Sequence, residues 1–291
     1  MEESLVLMAM GLVAGLLGGL FGVGGGVVYV PVLGWWLAEQ GGTPGEKVVL
    51  VLANSLALTL VTGILGLVVW RRKGVYYPLD WLRVGIPAGV VAVCVAWTLQ
   101  ATQGYRPEVF RAVFSLMLGL VLWRNATGLW NEFRTGQVWS GATGPEGAKD
   151  FPGSFSLAGL GMLAGMFSAL SGLGGGAVMV PLLQRMGLRD LARINALSMG
   201  SIAVMAAFST AYYGFTGTMS GAIPVEGAWG SLLPGFLVPT AMGTLVGIVP
   251  GIGMAQRCAG DPFWSRVLRS GLLVFLMGVL AWVHRAWWTT V

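Results

Sequence analysis

The chain has 291 residues, 55% of them hydrophobic and only 10% charged, with a mean hydropathy of +0.76. Soluble domains carry about 25% charged residues, so this composition excludes a water-soluble globule. The net charge of +5 lies in short clusters between apolar runs, the pattern of membrane loops and not of a nucleic-acid-binding face.

The chain opens Met1-Glu2-Glu3, without the basic start of a signal peptide, so the first apolar segment is expected to be retained. Apolar segments then run over Leu5–Leu37, Val48–Trp70, Leu82–Leu99, Val109–Trp130, Phe155–Leu183, Ile194–Tyr213, Leu232–Ile252 and Val267–Trp288. Most meet the length of about 18 apolar residues or more that a bilayer-crossing helix needs. They do not alternate apolar with polar, so a transmembrane β-barrel is excluded. The fold class expected is an all-α polytopic membrane protein. Cys94 and Cys258 are too far apart in context, one in an apolar run and one in a basic loop, to imply a disulfide framework or zinc.

The polar stretch 131–154 is expected to be a linker loop, cytoplasmic, between a first transmembrane repeat at 1–130 and a second at 155–291. The halves are related in sequence. "GLFGVGGGVVYVPVL" at Gly19–Leu33 is answered by "ALSGLGGGAVMVPLL" at Ala169–Leu183, with GxGGG, valine and proline at the same offsets. Shared apolar bias scatters matches; it does not align a five-residue glycine motif and the proline that follows it.

Loop charge orients the repeats. Arg71, Arg72, Lys73 and Arg83 against Asp80, and Arg185, Arg189 and Arg193 against Asp190, place both loops in the cytoplasm. The Gly214–Gly230 loop carries Glu226 and no Lys or Arg, which fits the outside, while Arg257 and Arg266 fit the inside. The third and fourth segments lie between those two loops and, as two crossings, return the chain to the cytoplasm, so Phe155–Leu183 must begin and end there. It is too short for two crossings, which need about 40 residues. Each glycine motif is therefore expected to be the tip of a re-entrant or broken helix hairpin. Each half becomes one hairpin plus three transmembrane helices, and the two halves are inverted, the arrangement of many secondary transporters.

A helix restarting after such a tip aims free N–H groups and its positive dipole end at the break, which must be buried in protein or line a wet cavity. Gly24, Gly25 and Gly26, with Gly174, Gly175 and Gly176, are thus candidate anion-binding positions. Close packing alone is the competing reading, and it is preferred for Gly11, Gly15, Gly161 and Gly165, whose spacing is small-xxx-small. Polar residues inside the apolar segments add Ser171 beside the second tip, and Asn54, Ser55, Asn195 and Ser198 in the segments after each hairpin. The two asparagines are open to two roles, donating to an anion or bonding a neighbouring helix. Arg83 and Arg193 are open to anchoring the cytoplasmic face or contacting substrate. Trp35, Trp36, Trp70, Trp81, Trp130, Trp229, Trp287 and Trp288 fall near segment ends, as an interfacial belt would.

No Asp or Glu lies mid-segment and the one histidine, His284, is near the end. There is no material for a carboxylate proton relay, a catalytic residue, a metal ligand set or a cofactor site.

Through "GLVAGLLGGLFGVGGGVVYVPVL", "GLGMLAGMFSALSGLGGGAVMVPLL" and the "ANSLA" and "INALS" that follow, the sequence resembles the sulfite exporter TauE/SafE family of bacterial membrane permeases. The resemblance implies a multi-pass protein of the bacterial plasma (inner) membrane that transports sulfite, sulfoacetate or other organosulfonates. The function expected is a secondary transporter, an exporter by that resemblance, with the anion bound between the two glycine breaks and moved by alternating access. The alternative is an anion channel or an uptake permease for thiosulfate, sulfate or a carboxylate. An intramembrane enzyme would need a polar catalytic cluster, and a scaffold would need no cavity at the paired breaks. The partners expected are a small anionic substrate and the lipid bilayer, with a homodimer left open and no nucleic acid.

Overall fold

The computed structural model describes residues 2–22, 24–38, 43–102, 104–135, 153–188, 190–216, 228–258 and 262–289. Arg189, Glu226 and most of the 131–154 stretch lie outside the described residues, as do the side chains of Cys258, Trp287 and Trp288.

The described residues form ten helices: α1 (Glu2–Phe21), α2 (Gly26–Ala38), α3 (Pro44–Arg72), α4 (Pro78–Ala101), α5 (Pro107–Thr135), α6 (Ser154–Ser171), α7 (Gly176–Arg185), α8 (Leu191–Thr216), α9 (Pro234–Cys258) and α10 (Pro262–Thr289). Eight of them are long and apolar enough to cross a membrane; α2 and α7 are not. At 13 and 10 residues these two rise only about 20 and 15 Å. Prolines open α3, α4, α5, α9 and α10, where the missing N–H costs nothing. Thr43 and Glu46 complete a capping box at the start of α3. The expected linker is shorter than its sequence suggests: α5 continues through Thr135 and α6 is under way by Ser154.

Glycines set how the helices meet. Gly11, Gly15 and Gly19 of α1 lie on Thr240, Thr244 and Ile248 of α9, so the two helices run parallel. Gly243, Gly247 and Gly251 answer from α9, against the carbonyls of Met8, Leu12 and Leu16. A methyl group on Gly11 would sit 2.0 Å from the Thr240 carbonyl, so the backbones themselves are in contact. The equivalent contact in the second half joins α6 to α4, with Gly161 and Gly165 on Val84 and Ala88, again parallel. In the centre α3 crosses α8 antiparallel, Gly63 against Ala203 and Gly66 against Met199. These two helices are the most enclosed, with 78% and 72% of their apolar windows buried, against 22% for α5 and 17% for α10, which lie outermost.

Both glycine motifs are sharp turns. Gly22, Gly24 and Gly25 all have positive φ, as do Gly172, Gly174 and Gly175, a conformation that other residues adopt only at a cost. After the first turn the chain folds back: Gly25 lies over the Ala14 carbonyl of α1. Trp36, near the far end of α2, packs its ring 5.7 Å from Phe236 at the start of α9. Because α9 runs parallel to α1, α2 returns along the way α1 came. Gly175 lies over the Ala164 carbonyl in the same way. The chain therefore turns back at both glycine motifs, but with unequal arms. α1 and α6, at 20 and 18 residues, are each long and apolar enough to cross a membrane. The described residues thus hold eight candidate spans, where segment length alone led to six crossings and two hairpins too short to cross.

The tryptophan belt needs one correction. Trp130 and Trp229 are exposed, as a belt requires, but Trp70 is only 1% exposed. It packs in a core with Met199, Ile248 and Ile252 where α3, α8 and α9 converge, because it lies on the face of α3's last turn that meets those helices, while Arg71 and Arg72 beside it are exposed.

Candidate functional site

The two glycine turns meet backbone to backbone. A Cβ on Gly26 would lie 2.6 Å from the Leu173 Cα and 2.7 Å from the Gly172 carbonyl oxygen. Thr59 of α3 stands between the turns, its methyl facing both Gly24 and Gly174. Its Oγ1 is buried without a hydrogen-bond partner among the described residues, and so is Ser168 Oγ on the last turn of α6. Buried hydroxyls are rarely left unpaired, so the junction of the two turns holds unused hydrogen-bonding capacity.

The polar residues expected around the turns divide by what they hold. Asn54 is consumed by the fold: its Nδ2 donates to the carbonyls of Leu50 at 2.8 Å and Ser231 at 3.0 Å, and its Oδ1 accepts from the Leu233 N–H at 2.7 Å. It fastens the segment leading into α9 onto α3. Ser55 donates to the Leu52 carbonyl at 3.2 Å and backs onto Gly172. Ser198 donates to the Gly22 carbonyl at 3.1 Å, and Ser171 to the Phe167 carbonyl at 2.6 Å. Asn195, the repeat mate of Asn54, has Oδ1 against Gly22 and lines a cavity. Among the described residues its amide makes no side-chain hydrogen bond.

That cavity has a volume of about 700 Å³. It lies at the end of the bundle where α3 and α9 finish and α8 begins, with Trp70, Gln256 and Asp190 in its wall. It runs inward to Leu20 and Phe21 just before the first turn, to Ala177 and Val178 just after the second, and to Asn195. Three arginines line it, Arg124 of α5, Arg185 of α7 and Arg269 of α10, against one acid, Asp190. The Asp190 carboxylate is already engaged with the Ala192 N–H at 2.9 Å. Cationic walls in a low-dielectric surrounding attract and hold anions.

Sequence reasoning missed Arg124 and Arg269. Arg124 lies only six residues before Trp130 in "LVLWRNATGLW", where an arginine reads as a membrane-face anchor. The available signal was its position inside an apolar segment, where charge is costly unless it faces a cavity or a partner. Arg83, by contrast, does not join the other candidates: its side chain is 48% exposed and pairs with Asp80 at 3.1 Å. Arg193 stacks its guanidinium 4.8 Å from the Tyr77 ring centroid.

The opposite end of the bundle is filled. Phe110, Phe114, Tyr213, Leu233 and Phe236 belong to one buried apolar cluster and lie at that end. Tyr105, in the connection between α4 and α5, donates its hydroxyl proton to the Ala96 carbonyl at 3.2 Å and lies 3.1 Å from the Tyr213 hydroxyl, with which it shares a hydrogen bond. Burial pushes the Tyr105 phenol up to about 12, so it stays protonated and able to donate.

Two curated relatives are both described as probable membrane transporter proteins. One, from Haemophilus influenzae, is 27% identical over 192 residues, 63% of this chain and 64% of the relative. The other, from Methanocaldococcus jannaschii, is 25% identical over 199 residues, 68% of this chain and 67% of the relative. The chain thus spans somewhat under two thirds of the Haemophilus relative's length. No solved structure matches it. The model of the sulfite exporter TauE/SafE family matches residues 7–283, nearly the whole chain. This multi-pass helical membrane protein belongs to the TauE/SafE family of membrane transporters.

Proposed function

We propose that the protein is a secondary transporter of small sulfur-containing anions, sulfite, sulfoacetate or other organosulfonates, and exports them across a bacterial inner membrane without enzymatic chemistry. The observation that carries this reading is the arginine-lined cavity that reaches the residues flanking the two glycine turns, Leu20 and Phe21 before the first and Ala177 and Val178 after the second. The anion would rest at its inner end. There Gly24, Gly25 and Gly26 and Gly174, Gly175 and Gly176 offer the N-terminal ends of α2 and α7, and Asn195 offers an unused amide. Ser55, Ser171 and Ser198 brace the turns, and Asn54 braces the bundle. Arg83 stands outside this site.

Helix directions support inverted repeats. The mates α3 and α8 run antiparallel, while α1 with α9 and α4 with α6 form equivalent parallel pairs. In inverted repeats a cavity at one face has a counterpart at the other. Here one face is open and the other is packed around Tyr105 and Tyr213, as one state of an alternating-access cycle requires. By loop charge the open face is the cytoplasmic one. A channel would need a continuous path, and the packed outer cluster disfavours it. Proteoliposomes test the reading. Sulfite, sulfoacetate or taurine should enter or leave faster than in empty vesicles, with saturable kinetics; flux equal to empty vesicles for all three overturns it.

A further inference from the structure

The chamber has a smaller neighbour. A second cavity of about 40 Å³ lies behind the first glycine turn. Phe21, Arg124 and Asn125 line both, so the two adjoin. From there the small cavity leads away from the open face. On α10, which starts at that face, the chamber touches Leu268 and Arg269, and the small cavity touches Leu272 and Leu276, a turn or two further on. On α1, which runs the other way, the small cavity reaches back from Phe21 to Leu17.

Its walls correspond to the chamber's walls in the other half of the chain. At the spacing that sets Gly24 against Gly174, Leu17, Val27 and Val28 answer to Phe167, Ala177 and Val178. The first three line the small cavity and the last three line the chamber. α5 and α10, the last helices of their halves, open alike, with Pro107, Arg111 and Ser115 matched by Pro262, Arg266 and Ser270 at equal intervals. That register sets Met117 of the chamber against Leu272 of the small cavity. Wall positions on three helices therefore match.

Charge is what the two cavities do not share. The chamber's arginines Arg185, Arg269 and Arg124 answer, in the same registers, to Trp35, Phe114 and Val279. Phe114 is buried in the apolar cluster that fills the closed end, and Val279 packs against it. Opening the small cavity along α2 and α10 would thus expose an apolar wall, where the chamber has a cationic wall that concentrates anions.

Resting on the transporter reading above, we infer that the small cavity is the closed, outward-facing counterpart of the chamber, and that it opens as an apolar exit with lower anion affinity. In inverted repeats the two cavities are formed in turn by corresponding walls. The anion then loads through the chamber at lower concentration than it does through the exit.

Sided membrane vesicles test this with the full-length chain. Cysteines are introduced one at a time, as Val28→Cys, Leu276→Cys and Val178→Cys, in a Cys94→Ser, Cys258→Ser background, and exposed to a membrane-impermeant thiol reagent, which needs a water-accessible thiolate. Val178→Cys should react faster in inverted vesicles, which present the cytoplasmic face, and Val28→Cys and Leu276→Cys faster in right-side-out ones, each by about tenfold or more. In the unsubstituted protein the KM for sulfoacetate entering from the cytoplasmic face should be about tenfold or more below that from the outer face. Val28→Cys and Leu276→Cys reacting only from the cytoplasmic face would make the small cavity an annex of the chamber and overturn the inference. Equal reaction from both faces, or none from either, also overturns it. Equal KM values from the two faces contradict the apolar exit, and that comparison stands even if a cysteine variant fails to fold. All of these outcomes leave saturable flux in place; its absence for sulfite and for every sulfonate instead removes the transporter reading on which the inference rests.

Discussion

Gly174→Ala should expose how tightly the centre of the protein is built. Gly174 has φ +80, and a Cβ there would lie 2.4 Å from the Thr59 Cγ2 and 3.3 Å from its Oγ1. Two separable costs follow. The left-handed backbone costs an alanine about 1–2 kcal/mol, and overpacking against Thr59 costs about 1–3 kcal/mol more. The single variant should therefore lose about 2–5 kcal/mol. Thr59→Ser removes the clashing methyl and keeps the hydroxyl, at about 1 kcal/mol by itself for one buried carbon. In the double variant the overpacking disappears and only the backbone cost and the lost methyl remain. The pair should thus be coupled by about 1–3 kcal/mol, the double variant being no worse than Gly174→Ala alone. Thermal unfolding of the four proteins in one detergent measures this. If the two losses simply add, Thr59 does not stand against the second turn and the described junction is wrong.

The two asparagines should behave unlike each other despite their equivalent positions. Asn54→Ala strips three hydrogen bonds and should destabilise the protein by about 2–4 kcal/mol. Asn195→Ala should leave the unfolding temperature nearly unchanged and raise the KM for anion flux by about tenfold or more, a hydrogen bond to a charged group being worth about 1.5 kcal/mol or more. Gly11→Leu has no room, its Cβ alone falling 2.0 Å from the Thr240 carbonyl; it should cut the yield of folded protein sharply, read by monodisperse elution in detergent. Arg83→Gln should keep the flux KM within about twofold and cost no more than about 1 kcal/mol of stability, as expected for an exposed ion pair.

The fold was legible where the sequence states it twice. The positions of GxGGG and of the following proline foretold two turns, and contacts of Gly25, Trp36 and Gly175 place the returning chain accordingly, whereas segment length did not foretell that α1 and α6 are each long enough to cross a membrane. Helix packing was legible in the four-residue glycine spacing of α1, though not its partner, because the glycines of α9 read as an ordinary apolar segment. The division between Asn54 and Asn195 could not be read, since it depends on which backbone groups three-dimensional folding brings beside each amide. Arg124 and Arg269 were hidden for a different reason. An arginine near a segment end is most often an anchor, and only the packing of α5 against α10 turns these two toward a shared cavity. Trp70 misled in the same way, a residue at the end of an apolar run that the bundle encloses.

Counterflow in proteoliposomes bears most directly on the claim that a single anion site is presented alternately to the two faces. Vesicles loaded with unlabelled sulfoacetate or another transported sulfonate are diluted into a trace of the labelled compound. A carrier exchanges one for the other, so labelled anion should accumulate transiently inside above its outside concentration and then decay. Arg124→Gln and Asn195→Ala should lower the peak. If label only equilibrates, without overshoot, the protein conducts anions as a channel and the alternating-access account is contradicted.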